Sequence, residues 1–169
     1  MSVADHKSKE LQLKCMVISV SDTRNKETDK SGRLISELLE ISGHRIDTME
    51  IVPDEKGKIR QLINEGKENP DIDVILTNGG TGIAYRDVTI ETVKPLLDKE
   101  IPGFGEIFRS LSYSEDIGSA AILSRAIAGI ANHTAVFSMP GSSGAVRLAM
   151  NKLILPELSH VVNEIQKDI

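Results

Sequence analysis

Short β-branched runs, separated by stretches of helical periodicity, constrain this chain more than any other feature of its sequence. Lys14–Ser21, Arg45–Val52, Val74–Thr77 and Thr134–Ser138 read as strands, and each ends in turn-forming or small polar residues. Between them, Leu34, Ile35, Leu38 and Leu39 fall on one helical face, with Gly43 where a helix C′ glycine belongs. Ile59, Leu62 and Ile63 mark a second helix, expected to open at Asp54 and to close between Gly66 and Pro70. A helix beginning near Thr89 should break at Pro95. Phe104, Ile107, Phe108 and Leu111 recur with the spacing of an amphipathic helix. Ser119–Ala128 reads as another helix, and Ser143–Lys152 opens the last one. There Pro156 is expected to interrupt before Leu158, Val161, Val162 and Ile165 resume the pattern.

Strands joined through helices imply right-handed βαβ units, and so a three-layer α/β/α sandwich on a mostly parallel sheet. In such sheets ligands bind in the crevice beyond the carboxyl ends of the strands. That rule directs attention to four junctions: Ser21-Asp22, Pro53-Asp54, Thr77–Gly82 and Ser138–Gly144. The 169 residues suit one domain, taken as 14–169 after a flexible segment 1–13. A hydrophobic fraction of 40% and a charged fraction of 27% are those of a globular protein. The net charge is −5 and the cations are scattered, so no basic face offers a grip on nucleic acid. No stretch approaches the ~20 apolar residues that cross a bilayer. Met1 to Glu10 carries no apolar leader, and a cytoplasmic location is expected. Cys15 is the only cysteine and lies in an apolar run, which excludes an intrachain disulfide and points to inert packing. His6, His44, His133 and His160 lack metal-ligand spacing, so zinc chemistry has no support.

The richest junction is Thr77-Asn78-Gly79-Gly80-Thr81-Gly82. Glycines let successive amides turn inward together, and such concavities bind anions; a flexible strand-to-helix turn accounts for the residues equally well. The loop is neither a P-loop nor a dinucleotide fingerprint. Asp54 and Asp87 each stand before a helix, where aspartate serves as an N-cap for about 1 kcal/mol. Their other reading is a magnesium site, since magnesium takes one or two carboxylates and fills its shell with water and phosphate oxygens. Ser138-Met139-Pro140-Gly141-Ser142-Ser143-Gly144 sets two hydroxyls at a helix N-terminus, where anions are favoured, or where they simply cap the helix. No Gly-x-Ser-x-Gly elbow is present, which argues against a serine hydrolase. Phe104, Phe108 and Tyr113 lie in one short segment and suit either an interface or the core.

Taken together, these motifs resemble the MoaB/MogA family of molybdenum-cofactor biosynthesis proteins, related to the G domains of eukaryotic molybdopterin synthesis proteins and of gephyrin. The matching stretches are Val17–Arg24, Thr28–Gly32, Val52–Glu55, Thr77–Gly82, Arg86–Thr89, Pro102–Glu106 and Ser138–Gly141. Leu111–Ser114, Ala121–Ala126 and Ser142–Val146 are similar to the MoaB branch. The resemblance implies the molybdopterin-binding fold, assembled as a homotrimer or as a homohexamer built from two trimers. It also implies adenylylation of molybdopterin, in which the pterin's terminal phosphate attacks the α-phosphate of ATP and pyrophosphate leaves. On that likeness Asp54 and Asp87 are the catalytic acids and hold Mg2+. Thr77, Gly79, Gly80, Thr81 and Gly82 meet the nucleotide phosphates. Ser138, Pro140, Gly141, Ser142 and Ser143 meet the pterin. Other proteins of the same biosynthesis are the expected protein partners.

Two further readings stand beside the enzyme. One is a MoaB-type protein that binds the pterin or acts as a scaffold without turnover. The other is an unrelated flavin- or nucleotide-binding domain, against which the low aromatic content argues, with three Phe, two Tyr and no Trp.

Overall fold

A computed structural model describes residues 11–169 of the protein. Of the expected flexible segment 1–13, Met1 to Glu10 lie outside the described residues, and Leu13 is packed in the core at 2% exposure. In chain order the elements are β1 (Lys14–Val20), α1 (Lys30–Ile41), β2 (Arg45–Val52), α2 (Lys56–Glu68), β3 (Val74–Asn78) and α3 (Thr89–Val93). After a 3-10 turn at Lys94–Leu96 come β4 (Lys99–Glu100), α4 (Pro102–Glu115) and a 3-10 segment at Gly118–Leu123. The chain ends with β5 (Ile127–Ala131), β6 (Thr134–Met139), α5 (Ser143–Ala149), a π turn at Met150–Ile154 and α6 (Leu155–Gln166).

The strands form one sheet in the order β2-β1-β3-β6-β5-β4. β2, β1, β3 and β6 are mutually parallel, while β5 runs antiparallel to both β6 and β4. β3 and β6 are buried along their whole length, as the continuous apolar runs required, because helices cover both faces. Alternate side chains feed two cores. Cys15, Val17, Leu76 and Phe137 pack against α1, α4, α5 and α6, whereas Met16, Ile18, Ile75 and Val136 pack against α2 and α3. Each fully buried Leu, Ile or Phe contributes roughly 1.5–3 kcal/mol. Phe108 is fully buried, and Phe104 stacks on it at 6.3 Å and meets Phe137 edge-on at 5.4 Å. Those two aromatics are therefore core residues, whereas Tyr113 is 64% exposed. The Cys15 thiol is buried, and burial, reinforced by the charge of Asp73, pushes its pKa up to about 12, which leaves it inert.

Three local expectations are corrected. The helix expected over Ser119–Ala128 is a 3-10 segment followed by a strand. Ile127 and Ala131 enter one core and Ala128 the other, a period of two hidden by small side chains. Ala131 pairs with Thr134, so Asn132-His133 form a two-residue hairpin turn, with Asn132 at φ 55° as such turns favour. Second, Pro156 does not interrupt the last helix. It sits in the first turn of α6, and the preceding π turn carries the chain past its missing N–H. Third, α2 opens with Glu55 at its N-cap, not Asp54, and without a side-chain bond there.

Candidate functional site

β1, β3 and β6 end on the same edge of the sheet, and their loops enclose a crevice of about 500 Å³. Asp22, Asp54, Asp87, the Gly79–Gly82 loop and Pro140–Ser142 all line it. A larger cleft of about 1000 Å³ lies among Lys67, Glu68, Asp98 and Asn132, away from these loops. The smaller crevice is the candidate site, because there carboxylates and open backbone donors converge at the carboxyl ends of the strands.

Gly79 and Gly80 adopt φ of +93° and +67°, a region that disfavours any Cβ. A Cβ on Gly79 would strike the Val20 carbonyl, and one on Gly80 would stand 2.8 Å from Asp54 Oδ1. The loop's carbonyls are all engaged. Gly79 O accepts from Thr89 Oγ1 at 2.8 Å, and Gly80 O from Thr89 N at 3.0 Å. Thr81 O accepts from Arg125 Nε at 3.0 Å, and Gly82 O from Arg125 Nη2 at 2.6 Å. The Gly79 amide donates to Met139 O, but among the described residues no acceptor stands against the amides of Gly80, Thr81 and Gly82. Successive free N–H groups beside satisfied carbonyls make a concavity of positive partial charge, suited to an anion.

The three aspartates differ in their partners. Asp22 accepts from Arg86 Nε at 2.7 Å and Nη2 at 3.0 Å, and also from the amide of Asp54 at 3.0 Å. The Arg86 hydrogen bonds, with help from the Asp54 amide, hold the Asp22 carboxyl below the usual carboxylate range. For Asp54 the direction reverses, since burial pushes its carboxyl up and the charges of Asp22 and Asp87 add to the effect. Asp87 Oδ2 accepts from the Ala84 amide at 2.9 Å, which caps the turn before α3; the α3 N-cap position belongs to Val88. Neither Asp54 nor Asp87 is thus a helix cap.

Among the described residues no group of three or more His, Cys, Asp or Glu forms a metal cage. The donors present fit a different kind of cation site. Two carboxylates beside a loop of open amides match magnesium, which takes few protein ligands and completes its shell with water and phosphate oxygens.

Behind the loop lies a buried polar network. Asn78 Nδ2 donates to Ser19 Oγ at 2.9 Å, and Ser19 Oγ donates to Asp29 Oδ2 at 2.6 Å. Arg24 Nη1 reaches Ser31 Oγ at 2.6 Å and Asn78 Oδ1 at 2.9 Å, and its Nη2 reaches Gly141 O at 2.9 Å. Arg24 so ties the loop after β6 to the end of β3.

Of the residues expected at the site, Asp54, Asp87, Gly79, Gly80, Thr81, Gly82, Pro140, Gly141 and Ser142 share the crevice. Thr77 and Ser138 are fully buried in their strands and bonded to each other at 2.8 Å, beneath the floor. Ser143 begins α5 behind the lining, and Ser142 caps that helix by accepting from the Ala145 amide at 3.2 Å. The sequence directs attention to the Ser21-Asp22 junction without assigning it a role, and Arg24, Leu123, Ser124 and Arg125 stand there only within the stretches that carry the family resemblance. An arginine two residues beyond a strand-end aspartate was the available signal for Arg24; Arg125 gave none.

A family model described as a probable molybdopterin binding domain matches residues 16–160. The chain is 62% identical over 169 residues to the molybdenum cofactor biosynthesis protein B of Bacillus subtilis (strain 168), covering 99% of each. A crystal structure of a molybdenum cofactor biosynthesis protein B superposes with a TM-score of 0.91 at 60% identity, over 93% of this chain and 98% of that one. The tungsten cofactor synthesizing protein MoaB from Pyrococcus furiosus gives a TM-score of 0.83 at 40% identity, over 94% and 99%.

Proposed function

Since this chain belongs to the molybdopterin-binding domain family of molybdenum-cofactor biosynthesis proteins, we propose that it adenylylates molybdopterin with ATP and magnesium. The observation that carries this reading is the set of three unpaired amides, Gly80 to Gly82, beside two carboxylates that no helix claims. A triphosphate needs donors for its oxygens and a cation for its charge, and the crevice can supply both.

An oxygen of the pterin's terminal phosphate forms a bond to the α-phosphorus of ATP. The bond from that phosphorus to the bridging oxygen breaks, and pyrophosphate leaves with the electron pair. Such transfers depend on positioning and charge neutralisation more than on covalent help. The amides of Gly80, Thr81 and Gly82 hold the nucleotide phosphates, and the Pro140–Ser142 loop orients the pterin side. Asp54 and Asp87 hold the magnesium, which when bound neutralises charge on the phosphates. The Asp22–Arg86 pair fixes the Asp54 backbone at the rim.

The test is pyrophosphate release from ATP, magnesium and molybdopterin. Release at a rate dependent on all three supports the reading. A folded protein that binds the pterin and releases no pyrophosphate overturns it in favour of a binding or scaffold protein.

The proposal extends to assembly as a homotrimer or a dimer of trimers. Ile83, Tyr85, Ile122 and Leu123 are 69%, 100%, 83% and 50% exposed in the segments that flank the crevice, an unusual set for a monomer. Sedimentation is expected to give three or six copies, and a monomer at micromolar concentration would overturn that part.

A further inference from the structure

The glycine loop is gripped through its carbonyls by two residues. Thr89 takes Gly79 and Gly80; Arg125 takes Thr81 and Gly82. Arg125 is not on the crevice wall. Arg125 stands in the chain between the 3-10 segment and β5, and its guanidinium is itself fixed. Nη1 reaches Glu91 Oε2 and Nη2 reaches Glu91 Oε1, both at 2.8 Å, in a two-pronged pair. The mutual bond holds the Glu91 carboxyl below its ordinary range and the Arg125 pKa above its own. Glu91 and Thr89 both belong to α3, so one short helix sets both grips.

A peptide unit whose carbonyl is pinned on one side turns the following N–H to the other. Resting on the nucleotide-phosphate reading of this loop, we infer that Arg125, oriented by Glu91, is the positioning residue that aims the Gly82 amide at the phosphates, while Thr89 sets those of Gly80 and Thr81. It sets the affinity for the triphosphate without touching it. Lysine cannot replace it, because a single ammonium cannot serve two carbonyls and a bidentate carboxylate from one planar fork.

The experiment is calorimetric titration of magnesium–ATP and magnesium–pyrophosphate into the wild type, Arg125→Lys, Glu91→Gln and the double variant, with melting curves of each. Arg125→Lys is expected to weaken both ligands by about 10- to 100-fold, the range for losing the group that orients a ligand-holding donor. Glu91→Gln should give a smaller loss, and the double variant should be no weaker than Arg125→Lys alone, since the two act in series. A purely structural role would lower the melting temperature and leave the dissociation constants unchanged, and that result overturns the inference. If Arg125→Lys does not fold, Glu91→Gln decides by the same criterion. A folded wild type that binds neither ligand overturns the nucleotide reading of the loop. In that case the Gly82 amide resonance in the ligand-free proteins decides the orientation, with that of Gly80, whose peptide Thr89 holds, as the reference. A shift of Gly82 in either variant sustains it, and an unchanged Gly82 overturns it.

Discussion

At the end of β3 two polar clusters stand a few residues apart and are built on opposite terms. On one side, Asn78, Ser19, Asp29 and Ser31 are at most 3% exposed, and each makes the hydrogen bonds its chemistry allows. On the other, Gly80 to Gly82 keep their amides open and Asp54 feels two neighbouring carboxylates. A buried polar group without a partner costs about 1–3 kcal/mol, so the first cluster has to be saturated to exist at all. The second is tolerable because it faces a crevice, where water or a ligand takes the role of partner. Saturation marks scaffold; a shortfall at a wetted surface marks the place where something binds.

The sharpest way to break that distinction is Asn78→Leu. It removes the acceptor for Arg24 and Ser31 and the donor to Ser19 together, leaving several buried groups unpaired. A loss of about 3 kcal/mol is expected, with a melting temperature lower by roughly 6–12 °C. Denaturant unfolding checks it. Unchanged stability with lost ligand binding would move Asn78 from scaffold to site.

Asp87→Asn tests the open cluster in the opposite sense. Asparagine can still accept from the Ala84 amide, so the turn and the stability should survive. The rate of pyrophosphate release should fall at least about 100-fold, or about 2.7 kcal/mol of activation free energy. Equal activity in the variant would remove Asp87 from the proposed chemistry.

Gly80→Ala lies between the two, since the residue belongs to the open cluster but is conformationally committed. At φ +67° a side chain costs about 1–2 kcal/mol, and the new Cβ presses on Thr89 Oγ1 and Asp54 Oδ1. Both stability and nucleotide affinity should drop, whereas Gly57→Ala, in the first turn of α2 with open space around it, should leave affinity unchanged and stability equal or slightly higher.

How much of this could be read in advance follows the same line. The strands β1, β3 and β6 announce themselves because both faces are buried and their residues are β-branched. β5 did not, because Ile127-Ala128-Gly129-Ile130-Ala131 is too small in its side chains to display a period. Gly129 is there for the close approach of β4, where a Cβ would strike the Lys99 carbonyl. Glycines and aspartates at strand ends were legible as crevice residues, since topology alone places them there. Which aspartate is a cap was not, because a cap is decided by one hydrogen bond. Arg24 and Arg125 were least legible. They act on Gly141 and on Thr81 and Gly82 across 117, 44 and 43 residues of chain, and no local pattern encodes such pairings.

Asp54→Asn gives the smallest expected effect and the most direct reading of the open cluster. The native Asp54 carboxyl titrates above its ordinary value of 3.8, so the folded protein binds that proton more tightly than the unfolded chain does. Its contribution to stability is therefore complete below the ordinary value and is lost as pH rises through the native one. At neutral pH the ionised side chain is a liability that asparagine removes. The variant should melt higher than the wild type, by no more than about 2 °C because solvent screens a partly exposed carboxylate. The gap should close on acidification toward 3.8 and below. Saturating magnesium, held by the same carboxylate, should raise the wild type alone and erase the difference at neutral pH. A wild type that remains the less stable of the two in magnesium would place the cation away from Asp54, and the open cluster would then serve the phosphates only.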